Sequence, residues 1–140
     1  MGRIFEGSIA FEKNVTDLKD IPDTKTKIML NIADPDSALR WWRLPIDGIG
    51  LCRMEFTVTE HVKAHPMALA HPERVTDEKA KAEIMELTRH YDTPADYMVE
   101  TLARGLGTLA AMAYPKPVIV RMSDFKTNEY ATLLGGADFE

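Results

Sequence analysis

The sequence predicts an α/β fold built on a parallel sheet, and three observations support this prediction. Three short apolar runs have the bounded length of buried strands: residues 26–32 (TKIMLNI), 48–56 (GIGLCRMEF) and 118–122 (VIVRM). Stretches with apolar residues at helical spacing separate these runs. The runs are nearly continuously apolar, which is typical of parallel strands in a sheet that helices cover on both faces.

The first 23 residues differ in residue pattern from the rest of the chain. RIFEGSIAF has the composition of a short strand, but EKNVTDLKDIPDT alternates charges with isolated apolar residues. We therefore predict a linker over residues 1–23 and a single domain over residues 24–140. The first strand of this domain is the run over residues 26–32.

A helix is predicted directly after the first strand. Asp34 is a candidate N-cap and Pro35 fits the first helical position, so PDSALRWWRL begins a helix. Pro45 and Gly48 end it before the second strand begins.

Two longer helices follow the second strand. The first spans residues 76–91 with Thr76 as its candidate cap, and the second spans residues 93–114, beginning at a Thr93-Pro94 pair. Two glycines at positions 105 and 107 weaken the second helix by roughly 1 kcal/mol each relative to alanine. Close packing against a neighbouring element would explain both glycines. The third strand, residues 118–122, follows this helix.

Length and composition limit the function classes. A chain of 140 residues, 45% hydrophobic and 28% charged, is enough for one globular domain. Its net charge of -5 argues against general nucleic-acid binding. The sequence has neither a signal-peptide core nor an apolar stretch of about 20 residues, so we predict a cytoplasmic protein without a membrane span. The single cysteine, Cys52, is interpreted as a core residue rather than a reactive thiol.

Two apolar strands run directly into an arginine. Arg53 and Arg121 stand at the carboxyl ends of the second and third strands, which is the edge where α/β proteins bind ligands. Two guanidinium groups at one edge repel each other unless an anion lies between them, and their planar form suits phosphate or carboxylate. This pattern predicts an acidic ligand. Asp124, in the polar loop after the third strand, would orient the arginines or contact that ligand, unless the loop is simply a solvated turn.

A structural interpretation explains the same charges without any ligand. In it, Arg53 forms a salt bridge with Glu55 or Glu60, and Arg121 forms one with Asp124. Spacing alone favours neither interpretation over the other.

Four blocks of the sequence resemble a known family. They are TKIMLNIADPDSA, PIDGIGLCRMEF, HVKAHPMAL and YPKPVIVRMSDFKTNEYATLLGG. In wording and in order they are similar to the start of the C-terminal barrel domain of the phosphoenolpyruvate synthases, also called pyruvate, water dikinases. The opening GRIFEGSIAF is similar to the family's connection from its swivelling phosphohistidine domain, which gives residues 1–23 their expected origin.

The resemblance implies a fold and a chemistry. The fold is a (β/α)₈ barrel of the TIM type, of which this chain supplies the first three strands with their covering helices. The family makes phosphoenolpyruvate, AMP and phosphate from ATP, pyruvate and water through a phosphohistidine, with Mg²⁺ in the barrel. The arginines of the GLCRMEF and VIVRMSDF blocks bind substrate in the family, which assigns that role to Arg53 and Arg121. Asp124 is expected near the same pocket.

Several parts of the family's machinery are not expected in this chain. Its magnesium ligands and proton-donating cysteine lie further along the barrel, and its phosphohistidine lies upstream. His61 and His65 stand four residues apart but lack a third ligand, so no metal site is predicted. We expect a segment of a synthase that is inactive alone and partners the rest of the barrel and the phosphohistidine domain. Self-association through open sheet edges is a further expectation. The alternative is a standalone, non-catalytic half-barrel that binds anions or docks on a partner.

Overall fold

The computed structural model describes residue 4 and residues 6–19, 21–33, 35–41 and 43–140. The strands within this part of the chain are β1 (Met29–Ile32), β2 (Gly48–Arg53) and β3 (Val118–Arg121). The α-helices there are α1 (Pro35–Trp41), α2 (Met54–Thr57), α3 (Pro66–Ala70), α4 (Glu78–Thr88), α5 (Pro94–Ala113) and α6 (Thr127–Tyr130). A π-helical turn (Val58–Val62) and two 3₁₀ turns (Pro72–Arg74 and Gly136–Asp138) complete the helical elements. The predicted cap Asp34 lies outside the described residues.

The three strands form one parallel sheet in the order β1-β2-β3, which confirms the predicted fold class. Strand β1 begins three residues later than predicted because the backbone of Ile28 bonds to Asp47, in the turn before β2, and not to a neighbouring strand. Its N–H donates to the Asp47 carboxylate at 2.7 Å, and its carbonyl accepts from the Asp47 N–H at 2.8 Å. Strand β2 ends at Arg53, three residues earlier than predicted, because helix α2 begins at Met54.

Helices α1 and α5 cover one face of the sheet. The buried residues of this core are Ile32, Ala38, Ile49, Cys52, Leu109 and Ala113. Val118 and Val120 of β3 pack against the same core, so Ile119 between them points to the opposite face. Ile119 is 54% exposed, and the predicted cover on both faces is therefore wrong at β3. An inner face left open in this way fits a partial barrel.

The two glycines of α5 have different environments. A Cβ at Gly105 would lie 3.1 Å from Cγ2 of Thr57 and 3.3 Å from Cγ of Pro35, so close packing explains this glycine as predicted. A Cβ at Gly107 would meet nothing within 4 Å. The packing explanation is wrong for Gly107, which faces open space.

A second core lies beyond the carboxyl edge of β2. Its buried residues are Val58, Val62, Ala64, Ala68, Leu69, Val75, Ala80, Ile84 and Tyr97. The Tyr97 hydroxyl donates to the carbonyls of His61 and Val62, at 2.9 and 3.1 Å, and so ties the π-helical turn to α5. This core fixes the segment that follows the end of β2.

The two long helices begin as capped elements. Helix α5 begins at the Thr93-Pro94 pair as predicted, and Thr93 caps it, since its hydroxyl accepts from the Asp96 N–H at 3.1 Å. The prediction for Thr76 is wrong, because Asp77 caps α4 and accepts from the Lys79 N–H at 2.9 Å. Thr76 instead donates through its N–H and its hydroxyl to the carboxylate of Asp138.

Residues 6–19 contain no helix or strand and are exposed. The division between a linker over residues 1–23 and a domain over residues 24–140 stays a prediction. None of the helices in the described part of the chain combines the length and apolar character needed to cross a bilayer.

Candidate functional site

The candidate site is built on the carboxyl ends of β2 and β3. Arg53 is the last residue of β2 and Arg121 is the last residue of β3. The two are direct partners in the parallel ladder. Residues that are partners in a parallel ladder project to the same face of the sheet. The fold therefore brings the two predicted arginines side by side at one edge.

Arg53 has no counterion among the described residues. Its guanidinium carbon lies 4.4 Å from the ring centroid of Phe56, in a cation–π contact. Its Nε is buried and has no hydrogen-bond partner. A buried donor without a partner costs about 1–3 kcal/mol. The predicted alternative pairing of Arg53 with Glu55 or Glu60 is therefore wrong, since helix α2 turns Phe56, and not a carboxylate, toward the guanidinium.

Arg121, by contrast, contacts two carboxylates. Its Nη2 donates to Oε1 of Glu55 at 2.8 Å, and its Nη1 lies 3.6 Å from Oδ2 of Asp124. The predicted pair between Arg121 and Asp124 is thus present. The Arg121 side chain remains 43% exposed, so part of its guanidinium faces solvent at the sheet edge.

Glu55 connects β2 to the loop that follows β3. Besides the bond from Arg121, its Oε1 accepts the backbone N–H of Asp124 at 2.7 Å. The residue is only 7% exposed, and its second oxygen, Oε2, is buried without a partner. One carboxylate oxygen therefore fixes both the Arg121 side chain and the backbone three residues later.

The charge state of Glu55 follows from its contacts. Burial alone raises the pKa of this carboxyl group. Hydrogen bonds from its own backbone N–H, from Arg121 and from the Asp124 N–H outweigh burial, with help from the Arg121 charge, so the pKa lies below its ordinary value. Glu55 is consequently an ionised carboxylate at neutral pH.

The arrangement suits the binding of an anion. Arg53 offers guanidinium donors that no described residue satisfies, and Arg121 beside it is held by Glu55. Sequence reasoning found both arginines and Asp124 but missed that Glu55 contacts Arg121. The spacing placed Glu55 near Arg53, and only the register of β2 against β3 reveals the cross-strand contact.

Cys52 is part of the core and not of the candidate site. Its side chain is fully buried under the helices. Burial, followed by the nearby charge of Glu55, raises the pKa of its thiol. The thiol form is therefore favoured, and the interpretation of Cys52 as a core residue is confirmed.

His65 has a structural role. Its Nδ1 accepts the Met67 N–H at 3.0 Å and caps α3, while its Nε2 lies 3.1 Å from the Glu140 carboxylate. Nowhere in the described residues do three or more His, Cys, Asp or Glu side chains form a group that could hold a metal ion. The side chains described here thus do not fit the Mg²⁺ that the family resemblance implies.

Comparison with known proteins finds one PEP-binding family model and several phosphoenolpyruvate synthases. Residues 9–136 match the model of the family described as "PEP-utilising enzyme, PEP-binding domain". The chain is 48% identical over 141 residues to the phosphoenolpyruvate synthase of Synechocystis, and 42% identical over 139 residues to that of Helicobacter pylori. It is 37% identical over 139 residues to that of Escherichia coli. Each match covers 99% of this chain and 17% of the relative's length.

Proposed function

Because the chain belongs to the family of PEP-binding domains of PEP-utilising enzymes, we propose that it binds phosphoenolpyruvate and pyruvate as part of a phosphoenolpyruvate synthase. The reaction proposed for the whole enzyme converts ATP, pyruvate and water to phosphoenolpyruvate, AMP and phosphate through a phosphohistidine. In this proposal, residues 24–140 begin the barrel and residues 1–23 lead from the phosphohistidine domain. The free, buried Cys52 of this segment agrees with a cytoplasmic location for the proposed enzyme.

The observation that carries the proposal is that Arg53 and Arg121 are neighbouring partners in the parallel ladder, at the carboxyl edge of the sheet. Phosphoryl transfer needs little covalent chemistry from the protein, so catalysis rests on positioning and on stabilising charge. Arg53, which has no counterion in the part of the chain that the structure describes, donates to the phosphoryl or carboxylate oxygens of the ligand. Arg121 donates from the same edge through the nitrogen atoms that Glu55 leaves free. Asp124 holds the second side of the Arg121 guanidinium.

A docking module is the second candidate function. It is favoured by the open face of β3, where Ile119 in the middle of the strand is 54% exposed. In the synthase proposal, further strands of the same barrel cover this face. In the docking proposal, a second copy of the chain or another protein covers it, and the arginine pair need not bind phosphoenolpyruvate.

A calorimetric titration with phosphoenolpyruvate tests the synthase proposal. It uses the intact natural polypeptide that carries this sequence and a variant with Arg53→Ala and Arg121→Ala combined. We expect the double variant to lose detectable binding, since both charged donors are removed. The control combines Arg74→Ala and Arg89→Ala, which removes the same charge from other parts of the surface.

The control variant is expected to keep the parent affinity. Unchanged affinity in the Arg53 and Arg121 double variant would refute the proposed site. An equal loss in both double variants would reveal a response to net charge alone, which would also contradict the proposal.

A further inference from the structure

We propose that Glu55 is a positioning residue that holds Arg121 in its ligand-binding orientation and leaves Arg53 free to meet the ligand. This inference rests on the proposed function, because it concerns the same arginine pair. No feature of the sequence assigned Glu55 a role in binding. The contacts, the burial and the charge of Glu55 support this role.

The contacts of Glu55 cross from one strand end to the other. Glu55 lies in the first turn of α2, two residues after the end of β2. Its Oε1 accepts from Arg121 Nη2 at 2.8 Å and from the Asp124 N–H at 2.7 Å, and both of these donors belong to β3 and its following loop. A single atom therefore fixes the direction of the Arg121 side chain and the path of the backbone beside it.

The burial of Glu55 strengthens and orients its bond to Arg121. The Glu55 side chain is 9% exposed, whereas the Arg121 side chain is 43% exposed. A charge-assisted bond to a buried carboxylate is stronger and better oriented than an exposed pair, because water competes less for either partner. Glu55 thereby holds Nη2 of Arg121 while 43% of the Arg121 side chain stays exposed. Arg121 is therefore held in position by Glu55 and keeps exposed surface with which to contact a ligand.

The nearby carboxylates at the carboxyl edge of the sheet contact Arg121 and not Arg53. Arg121 lies against two carboxylates, Glu55 and Asp124, whereas Arg53 lies against the Phe56 ring. Glu55 thus offsets the positive charge of Arg121, which lowers the repulsion between the two neighbouring guanidinium groups. Among the described residues, the charge at the edge without a carboxylate partner is that of Arg53. An incoming anion is therefore attracted first to Arg53.

The test replaces Glu55 by glutamine, which keeps the shape of the side chain and removes its charge. We expect Glu55→Gln to raise the dissociation constant for phosphoenolpyruvate about tenfold in the intact protein. In an Arg121→Ala background, the same change is expected to have less than about a twofold effect, since Glu55 acts through Arg121. The matched control is Glu100→Gln, because Glu100 pairs with Arg104 at 3.8 Å on the exposed surface of α5.

The conservative variant Glu55→Asp adds a second comparison. It keeps the charge but shortens the side chain by one methylene group, so an intermediate loss of affinity is expected. Thermal unfolding of every variant accompanies the titrations. A variant that unfolds at a lower temperature but binds phosphoenolpyruvate with parent affinity would overturn the positioning role, and so would a tenfold effect that persists without Arg121.

A measurement without ligand separates this inference from the proposed function. With ¹⁵N-labelled arginine, a held Arg121 guanidinium gives distinct Nη signals, because its rotation is slowed by the bond to Glu55. We expect these signals in the parent and in Glu100→Gln, and their collapse in Glu55→Gln. If the parent shows them but does not bind phosphoenolpyruvate, the proposed function fails while the orienting contact stands. If Glu55→Gln leaves them unchanged, the positioning role is refuted regardless of binding.

Discussion

Replacement of Arg53 by alanine is expected to raise the dissociation constant for phosphoenolpyruvate by about 100-fold or more. Arg53 has a buried Nε without a hydrogen-bond partner and has no ion pair with a described residue. An anion at the sheet edge gives the Arg53 guanidinium a charged acceptor that the described residues do not supply. Because no carboxylate of the described residues has to be displaced, the whole interaction contributes to affinity. The effect is measured by calorimetric titration of the intact protein.

The control for this prediction is Arg74→Ala. The Arg74 guanidinium lies 4.9 Å from the ring centroid of Phe139, much as Arg53 lies over Phe56, so both variants lose a positive charge and a cation–π contact. Arg74 lies in a 3₁₀ turn away from the strand ends, and its replacement should leave the affinity unchanged. A loss of less than about threefold in Arg53→Ala, or the same loss in Arg74→Ala, would contradict the assignment of Arg53.

Gly48→Ala is expected to destabilise the protein by about 3 kcal/mol or more. Gly48 begins β2 with a φ of +147°, which L side chains rarely adopt. A Cβ there would lie 2.5 Å from the Pro117 carbonyl oxygen, which accepts the Ile49 N–H at 2.9 Å. The added atom would therefore separate β2 from β3 at the start of the ladder whose other end joins Arg53 to Arg121. Thermal or denaturant unfolding measures the loss.

Gly107→Ala is the matched control for this substitution. It adds the same methyl group in open space on a helix, where alanine is favoured over glycine by roughly 0.5–1 kcal/mol. The two variants are therefore expected to shift the midpoint of unfolding in opposite directions. A Gly48→Ala variant as stable as the parent would show that the close approach of Pro117 to Gly48 does not hold β2 against β3.

The fold class was predictable because the strand runs are short, apolar and separated by helices with clear start signals. Helix α5 began at the Thr93-Pro94 pair as expected, and the three strands pair in parallel as their apolar runs indicated. The wrong predictions concern features that depend on tertiary packing and not on local sequence. Gly105 packs closely against Thr57 and Gly107 does not, although both lie in the same helix with similar sequence surroundings. Periodicity alone also could not reveal that one face of β3 is open.

For the candidate site, the sequence predicted which residues meet but not how their charges pair. Arg53 and Arg121 end parallel strands, and strand ends of one sheet must share an edge. The partner of each arginine depends on the direction that the chain takes after the strand. Helix α2 begins at once and carries Phe56 to Arg53 and Glu55 to Arg121. No spacing rule distinguishes this result from the reverse pairing.

The most direct test of the account is a crystal structure of the intact protein with bound phosphoenolpyruvate. We expect phosphoryl or carboxylate oxygens of the ligand within hydrogen-bonding distance of Arg53 and Arg121, with the bond between Arg121 and Glu55 retained. The described residues also form a cleft of about 360 Å³, whose lining includes His61 and Arg104. Phosphoenolpyruvate bound in that cleft, with Arg53 still without an anionic partner, would contradict the account.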